Sequence, residues 1–514
     1  MRRLPFVNEI KTIVKQLGTF QGVDKRDVIQ ENAFADMKNM SSDYYPALGS
    51  RKPRGEIIKE IAKPHGIFWK NGLAYVDGTE LYYKNQKIGN VSDNDKQMIG
   101  MGAYILIFPD KVYYNTASGE FGDMQRSWTQ SGQAVIAPTY EASTYIKITC
   151  AGIGKNFRQY DSVTIEGCTN ASLNKSVTIQ QLTDNDITII GVLDKQFTQN
   201  SGLKLSRKIP DMDYVTECDN RLWGCSSKNH EIYASKLGDP LNFSSYEGIA
   251  SDSYAATVGS DGDFTGAITH MGYVLFFKED CFHKVFGNKP SNIQVNTQAA
   301  RGVAAGCSRS LKVVNETLYY AGRNNICGFD GALPYSISDA LKDVSYTEAA
   351  AEQYGNKYYI SLKEPEGWKL YVYDQLSRNW YIEDNTNLKY SAYAEGSLYY
   401  IEGNKLRTIT GNSSETVEWF AESGDQLEAS MEKKYINKLQ FMIEMDEGAM
   451  VEIFLKYDET EFWERLITIT AEQKKTYTIP IKPRRNLHYR YRLEGRGMVK
   501  IFGLGKYIEM GSEK

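Results

Sequence analysis

The sequence predicts an all-β protein whose largest part is a β-propeller of six or seven blades. Two observations support this prediction. An aromatic strand, a short polar turn and a second strand recur seven times, and the copies begin at Leu73, Tyr104, Arg221, Tyr273, Leu318, Lys357 and Leu398. The composition is also rich in tyrosine, with 36 Tyr against 13 Pro, which favours strands joined by short turns. The last four copies are spaced by about 40 to 45 residues, a period typical of propeller blades rather than helical solenoids.

Length and charge narrow the function classes. A chain of 514 residues is too long to fold around one hydrophobic core, so we expect several domains. The net charge of −4 produces no global field that would favour nucleic acid or an anionic membrane. No apolar run approaches the roughly 20 residues that span a bilayer, so we expect no membrane segment. The basic start of the chain lacks the apolar region of a secretory signal.

The seven cysteines indicate a protein made in a reducing compartment. Their number is odd, they are scattered, and none forms a C-x-x-C pair. We therefore expect free thiols in strands, synthesis in a cytoplasm and no zinc site.

Residues 1–60 are predicted to form an N-terminal arm. Lys11–Leu17 is a candidate strand. Glu31–Met40 is a candidate short helix, because Ala33, Met37 and Met40 fall near one helical face. The polar composition of the arm leads us to expect that it becomes ordered only on a neighbouring subunit.

The remaining chain divides into three predicted parts. The propeller takes residues 61–140 and 209–414. Residues 141–208 lack the aromatic hairpin and carry alternating strands instead, so they are interpreted as a small β domain inserted into a propeller loop. Residues 415–514 contain longer strands with cleaner alternation, which predict a C-terminal β-sandwich. Because the insert and a short first interval make the array uneven, we expect strands from both ends of the chain to complete the blades.

No catalytic, metal or cofactor site stands out. Gly259–Phe264 has the composition of a calcium loop, but no glutamate stands at the twelfth position, so a tight turn between blades is the better interpretation. His270 and His283 flank one hairpin, where packing is favoured over metal ligation. The sequence contains no nucleophile elbow, phosphate loop or dinucleotide fingerprint. Three acidic pairs are predicted to be exposed turns, namely Asp211 with Asp213, Glu279 with Asp280 and Glu383 with Asp384.

The candidate partner contacts lie in a basic run from Lys482 to Arg496. Read with period two, Tyr489, Tyr491 and Leu493 share one face of a strand, and Arg490 and Arg492 share the other. Two interpretations stay open, a sandwich strand with a solvated basic face, or a contact with an acidic protein or DNA. The candidate contact residues are Arg484, Arg485, Arg490, Arg492 and, in another segment, Trp368.

Several segments resemble phage virion proteins. The stretch from Phe20 to Gly55 opens with Phe-Gln-Gly-Val-Asp and closes with Arg-Lys-Pro-Arg-Gly. Asn220-Arg-Leu-Trp-Gly is followed by Ile-Tyr-Ala-Ser-Lys-Leu-Gly-Asp-Pro-Leu-Asn-Phe at 232–243. These segments, with Asp161–Gln180 of the insert and the endings Pro483-Arg-Arg and Leu493-Glu-Gly-Arg-Gly, resemble the tail hub or packaged-DNA stabilisation proteins of prophages from Gram-positive gut bacteria.

The resemblance implies a β-propeller component of the virion tail, assembled in the host cytoplasm, with no catalytic residue and no cofactor. Its expected partners are connector, adaptor and tail proteins, and the resemblance implies several copies around the tail axis, in a homo-oligomeric ring. A different class of function is host recognition, in which exposed aromatic residues such as Trp368 and Trp128 would stack on surface glycans. A third is a glycosidase on the same scaffold, for which no acid and base pair stands out.

Overall fold

The structure, a computed structural model, describes residues 12–428, 431–470 and 473–510. These residues form strands and turns with no α-helix, which confirms the all-β prediction. None of them forms a helix long and apolar enough to cross a membrane. Short 3-10 segments occur at Ala171–Leu173, Ser308–Ser310 and Asp339–Leu341.

Seven antiparallel four-stranded sheets occur within the described residues. In order along each sheet, sheet one contains Pro64–Trp69, Leu73–Asp77, Glu80–Tyr83 and Gln86–Asn90, and sheet two contains Gln97–Met101, Tyr104–Phe108, Val112–Asn115 and Phe121–Asp123. Sheet three contains Tyr214–Cys218, Arg221–Ser226, Glu231–Ala234 and Tyr254–Thr257, and sheet four contains Gly266–His270, Tyr273–Phe277, Cys281–Phe286 and Gln294–Ala299. Sheet five contains Lys312–Val314, Thr317–Ala321, Ile326–Phe329 and Tyr335–Ser336, and sheet six contains Ala349–Tyr354, Lys357–Glu364, Gly367–Asp374 and Asn379–Ile382. Sheet seven contains Ser391–Ala394, Ser397–Glu402, Lys405–Thr408 and Lys59–Glu60.

Each predicted hairpin forms the second and third strands of one of these sheets, which confirms all seven copies. The second strands are the most apolar because both of their faces are covered; Ile105, Leu106 and Ile107 are consecutive and almost fully buried. Tight turns set the register elsewhere in the sheets. Asp219 and Asn220 join two strands with φ values of 50° and 59°, as a two-residue type I′ turn requires.

The seventh sheet takes its fourth strand from the other end of the chain. Lys59–Glu60 pairs with Lys405–Thr408, so a segment from near the start of the chain completes this four-stranded sheet, whereas the prediction named strands from both ends. The chain divides into two compact units, residues up to 61 with residues from 309 onward, and residues 62–308. The first four sheets lie in the second of these units and the last three in the first. Within each unit, the first strand of a sheet contacts the first strand of the next.

The insert forms one eight-stranded sheet around its own core. The core contains Ile136, Ile148, Ile179 and Ile189, all fully buried. Two strands of this sheet precede residue 141, where the sequence predicts that the insert begins. The domain boundary at residue 141 stays a prediction. In spatial order the strands are Arg126–Thr129, Lys204–Arg207, Ser162–Glu166, Ser176–Leu182, Asp186–Ile190, Tyr145–Thr149, Ala134–Pro138 and Phe197–Gln199.

The last hundred residues contribute most strands of two further sheets. The six-stranded sheet contains Met40–Ser41, Leu48–Ser50, Val499–Met510, Lys434–Met445 and Lys475–Pro480, with Thr12–Leu17 also paired to Val499–Met510. The five-stranded sheet contains Phe34–Lys38, Glu418–Ser423, Tyr489–Arg496, Met450–Tyr457 and Glu464–Ile469. The two sheets pack face to face, since the rings of Phe441 and Tyr491 lie 6.1 Å apart across them.

The arm departs from its prediction in two ways. Residues 12–60 are ordered on their own chain, through pairing with strands near the C-terminus, and not only on a neighbour. The predicted helix at Glu31–Met40 is wrong, because Phe34–Lys38 is a strand paired with Glu418–Ser423. A bulge between Phe34 and Asp36 shifts the register, so Phe34 and Met37 are both buried although they are three residues apart. The bulge therefore imitates a helical period.

The arm packs tightly against the sixth sheet at Gly22, and this close contact can be tested by substitution. A Cβ atom added at Gly22 would lie 2.0 Å from the carbonyl oxygen of Trp380, a backbone atom, whereas a Cβ added at Gly18 meets nothing within 4 Å. We expect Gly22→Ala to lower the free energy of unfolding by about 1–3 kcal/mol, as overpacking does, and Gly18→Ala to change it by less than about 0.5 kcal/mol. Urea denaturation measures both. Equal stability of the two variants would contradict the close contact between arm and sheet.

Candidate partner-binding surface

The basic strand Tyr489–Arg496 has the two faces that the sequence predicts. Tyr489, Tyr491 and Leu493 are fully buried between the two sheets. Arg490 and Arg492 lie on the outer face of the five-stranded sheet, opposite Lys456 and Phe454 of the neighbouring strand. The strand is therefore half-buried, whereas the choice between a solvated basic face and a contact with an acidic partner stays a prediction.

The outer arginines are engaged in ion pairs within the chain. Arg490 Nε donates to Asp425 Oδ1 at 2.6 Å, and the Arg492 guanidinium lies 2.9 Å from Glu494. Burial acts to raise the pKa of Asp425, but the hydrogen bond and charge of Arg490 outweigh it and hold this pKa below its ordinary value. Arg492 also lies over the ring of Phe420, 4.6 Å from its centroid. Since their charges are compensated, these two arginines offer little net attraction to an acidic partner.

The loop between Pro480 and Tyr489 presents its basic residues differently. Lys482, Arg484 and Arg485 are exposed, and the Arg484 guanidinium lies 5.2 Å from the ring centroid of Tyr457. The base of the loop is held in place, because the backbone N–H groups of Leu487 and His488 both donate to Asp458 Oδ1. A fixed loop with exposed cationic side chains is a suitable contact for an acidic surface.

Exposed apolar groups lie beside this loop. Phe462 is 83% exposed on the loop that begins at Asp458, and Leu487 is 43% exposed. We define the basic loop surface as Lys482, Arg484, Arg485, Leu487 and Phe462. Its combination of arginine and exposed aromatic groups is typical of protein interfaces.

The two tryptophans considered for glycan binding have different environments. Trp368 is half-buried in the strand Gly367–Asp374, where it is paired with Lys363. Trp128 is only 8% exposed, and its indole N–H donates to the Ala151 carbonyl at 3.2 Å. The prediction that Trp128 is exposed is wrong, because its ring closes the core of the insert.

The loop at Gly259–Phe264 is occupied by a side chain of the protein. The Lys278 ammonium donates to the carbonyl oxygens of Ser260 and Asp261, at 2.7 and 3.3 Å, and lies 4.9 Å from the ring centroid of Phe264. A cationic side chain therefore already occupies two of the oxygens of this loop. Among the described residues, no group of three His, Cys, Asp or Glu side chains is arranged to hold a metal ion.

The two histidines of the fourth sheet serve packing. Both ring nitrogens of His283 lie 2.9 Å from hydroxyl groups, those of Ser260 and Thr297. Burial, with the nearby Lys278 charge, lowers the pKa of His283 to about 4, so the ring is neutral at physiological pH. His270 is paired in the strand register with Tyr273.

The central segment at residues 220–243 has a structural role. The Arg221 side chain is buried and donates to the carbonyl oxygens of Ser235, Asp252 and Ala250. Asn242, at the end of the same segment, donates to the Ser162 hydroxyl of the insert at 3.1 Å. The arginine thus holds a long loop closed, and the asparagine connects that loop to the insert.

The Arg-Lys-Pro-Arg-Gly segment anchors the arm through buried charges. Arg51 lies 3.1 Å from Asp384 and 2.8 Å from Glu415. Arg54 lies 2.8 Å from both Glu383 and Asp384. The prediction that Glu383 and Asp384 form an exposed acidic turn is wrong, because the two arginines cover them, and the Glu383 side chain is 3% exposed. The other acidic pairs keep exposed members at Asp211, Asp213 and Asp280.

These contacts perturb the carboxyl groups in opposite directions. Burial raises the pKa of Glu383 above its ordinary value despite the Arg54 charge. Burial also acts to raise the pKa of Asp384, but Arg54 and Arg51 outweigh it and lower this pKa to about 2. Asp384 therefore stays ionised and is a counter-ion shared by both arginines, and Arg51 is also paired with Glu415.

Comparisons with known proteins do not identify a family. No protein-family model matches the chain, and no curated protein matches it. Among solved structures, an exo-beta-1,3-galactanase from Phanerochaete chrysosporium aligns at 7% identity over 57% of this chain and 95% of its own, with a TM-score of 0.23. Hsv2 of Kluyveromyces lactis aligns at 8% identity over 63% and 98%, with a TM-score of 0.27. The endosialidase of phage phi92 aligns at 10% identity over 89% and 72%, with a TM-score of 0.16. At TM-scores this low, the similarities carry no argument about fold or function.

The ion pairs of Arg51 and Arg54 with Asp384 predict that the protein loses stability in acid. Because the pKa of Asp384 is about 2 in the folded chain against an ordinary 3.8, its contribution is complete above pH 3.8 and is lost as the pH falls to about 2. We expect Asp384→Asn to cost about 3–5 kcal/mol at neutral pH, since it leaves buried arginines undercompensated, and to flatten the stability profile between pH 4 and 2. Urea denaturation across this pH range measures both effects. Asp194→Asn, at an exposed position, controls for the loss of one carboxylate, and an unchanged acid profile in Asp384→Asn would contradict the assignment.

Proposed function

We propose that this chain is a structural component of a phage virion, located at the tail or the head–tail interface. The observation that carries the proposal concerns the segments that resemble virion proteins. Arg51, Arg54 and Arg221 in these segments are all buried; the first two join distant parts of the chain, and Arg221 holds a loop closed. Catalytic residues would converge on an open cleft, whereas these three arginines serve the architecture of the chain.

The repeated sheets support a platform for assembly. In this proposal the seven four-stranded sheets are the blades of one β-propeller, and the seventh blade is completed by Lys59–Glu60. Contacts between successive first strands within each unit agree with blade packing. A rigid platform of this kind presents surfaces to its neighbours without carrying a reaction, so the chain acts as a binding part and not as an enzyme.

The basic loop surface is the proposed contact with a neighbouring virion protein. Its cationic side chains are exposed, whereas Arg490 and Arg492 are compensated by acidic residues. We infer an acidic partner, such as a connector, adaptor or distal tail protein, with several copies of the chain arranged around the tail axis. The partner's carboxylates would meet Arg484 and Arg485, and its apolar groups would meet Phe462.

Charge reversal tests this contact. We expect Arg484→Glu with Arg485→Glu to leave the fold intact, because both side chains are exposed, and to reduce incorporation of the chain into virions at least tenfold. Quantitative mass spectrometry of purified particles measures incorporation. Lys175→Glu with Lys195→Glu, at exposed positions of the insert, is the matched control. Normal incorporation of the arginine variant would refute this contact, and absence of the chain from wild-type tails would refute the proposed function.

A second candidate function is the binding of host-surface glycan. The observation that favours it is a patch at one end of the insert sheet. Tyr140 is 65% exposed and Tyr145 39%, and Tyr145 is paired with Ile190, which is 53% exposed. Exposed tyrosine rings stack on the apolar faces of sugars and contribute hydrogen bonds through their hydroxyl groups.

A glycan array distinguishes the two functions. If the chain binds host glycan, Tyr140→Ser should weaken the signal at least tenfold. Tyr393→Ser, which removes a 38% exposed tyrosine from the seventh sheet, should leave the signal unchanged. A chain that serves assembly alone should bind no cell-wall glycan, and that result would exclude the second candidate.

A further inference from the structure

A lysine, a glutamine and a glutamate meet in the interior of the C-terminal sandwich. Lys506, Gln426 and Glu428 are at most 4% exposed. Lys506 Nζ lies 2.8 Å from the Gln426 side-chain oxygen and 2.8 Å from Glu428 Oε1. The lysine belongs to the six-stranded sheet, whereas Gln426 is bridged to Tyr489 of the five-stranded sheet. An amine, a carboxamide and a carboxylate are therefore held together between two sheets.

From this arrangement we propose that Lys506 and Gln426 form an intramolecular amide cross-link, with Glu428 as the proton carrier. A lysine amine is a competent nucleophile once it has lost its proton. The electrophile is the side-chain carbonyl carbon of Gln426, which is bonded directly to the oxygen that Lys506 contacts. Holding the two groups in contact removes most of the entropic cost of their reaction.

The proposed reaction balances without an external reagent. The Lys506 ammonium gives a proton to Glu428, and the free Nζ then attacks the Gln426 carbonyl carbon to form a new C–N bond. Glu428 donates its proton to the departing side-chain nitrogen of Gln426 and takes up a proton from the attacking nitrogen. The C–N bond of the original carboxamide breaks, one ammonia leaves, and Glu428 remains as a neutral acid.

Hydrogen bonds from neighbouring residues orient the Gln426 carboxamide and the Glu428 carboxylate. The Gln426 side-chain N–H groups donate to the carbonyl oxygens of Glu31 and Gly424, at 3.3 and 3.2 Å. The Tyr489 hydroxyl donates to Glu428 Oε1 at 2.6 Å. The carboxamide and the proton carrier thus have fixed orientations, as an unassisted reaction requires.

The charge balance of the cluster favours the linked state. Lys15 lies 3.2 Å from Glu31 and 3.0 Å from Glu428, and the side chains of Lys15 and Glu31 are both 29% exposed. The Lys506 pair with Glu428 is the desolvated one, since both side chains are at most 1% exposed, and burying such a pair is costly. After the reaction, Lys506 is an uncharged amide and Glu428 an uncharged acid, and the Lys15 pair with Glu31 remains. One buried ion pair is removed.

The link would join the two sheets of the sandwich covalently. The strand Val499–Met510 would be tied to the segment that follows Glu418–Ser423, near the point where the arm strand Thr12–Leu17 is attached. Cross-linking two distant positions restricts the unfolded chain and so stabilises the fold. This inference is independent of the proposed function.

Mass spectrometry of the full chain tests the link. The intact wild-type chain should be lighter than its sequence by one ammonia, and a protease digest should contain a branched peptide that joins residues 426 and 506. Glu428→Gln should restore the full mass, and Lys506→Met should do the same. Gln440→Met is the matched control, because Gln440 lies in the same sandwich on the exposed side, where it hydrogen-bonds Thr478 and Tyr507. That variant should keep the loss.

The outcomes separate the link from other chemistry. Ring closure at Asn71-Gly72 would also release ammonia, but it yields no branched peptide and does not depend on Glu428. A wild-type chain with full mass and no branched peptide, after incubation at neutral pH, overturns the proposal. The result on the wild-type chain decides the matter even if a variant fails to fold.

Discussion

The structure depends on the pairing of the N-terminal segment with strands near the other end of the chain. Thr12–Leu17 and Leu48–Ser50 complete the edge of Val499–Met510, Phe34–Lys38 extends the five-stranded sheet, and Lys59–Glu60 completes the seventh sheet. Each of these contacts closes a loop of several hundred residues. Such closure costs conformational entropy, and the buried ion pairs and strand hydrogen bonds of the closed state offset this cost.

Buried charge has a consistent place in this arrangement. Arg51 and Arg54 meet Glu383 and Asp384 where the arm joins the sixth sheet, and Lys506 meets Glu428 inside the sandwich. Breaking one partner of such a pair leaves an uncompensated charge, so each cluster permits one arrangement of its segments and penalises others. The exposed charges of the basic loop surface carry no such constraint and are available to a neighbour.

The repeat itself could be predicted in its central part only. The second strands are mostly buried, and together with the third strands they carry a clear aromatic pattern, as in Lys357–Glu364 and Gly367–Asp374. The outer strands were not predicted because they are more exposed and of mixed composition; Gln294–Ala299, with no buried residue, is an example. The period-two pattern of Tyr489–Arg496 was readable because one face of that strand is apolar and the other charged.

The sequence by itself determined the all-β class, the seven hairpins and the two faces of the basic strand, because these follow from local patterns of apolar and polar residues. The tertiary structure decided which charged side chains are buried and where the N-terminal arm pairs. Whether Glu383 and Asp384 are exposed depends on Arg51 and Arg54, more than three hundred residues away. Gln426, Glu428 and Lys506 are ordinary surface residue types in the sequence, and only the packing of two sheets places them in contact.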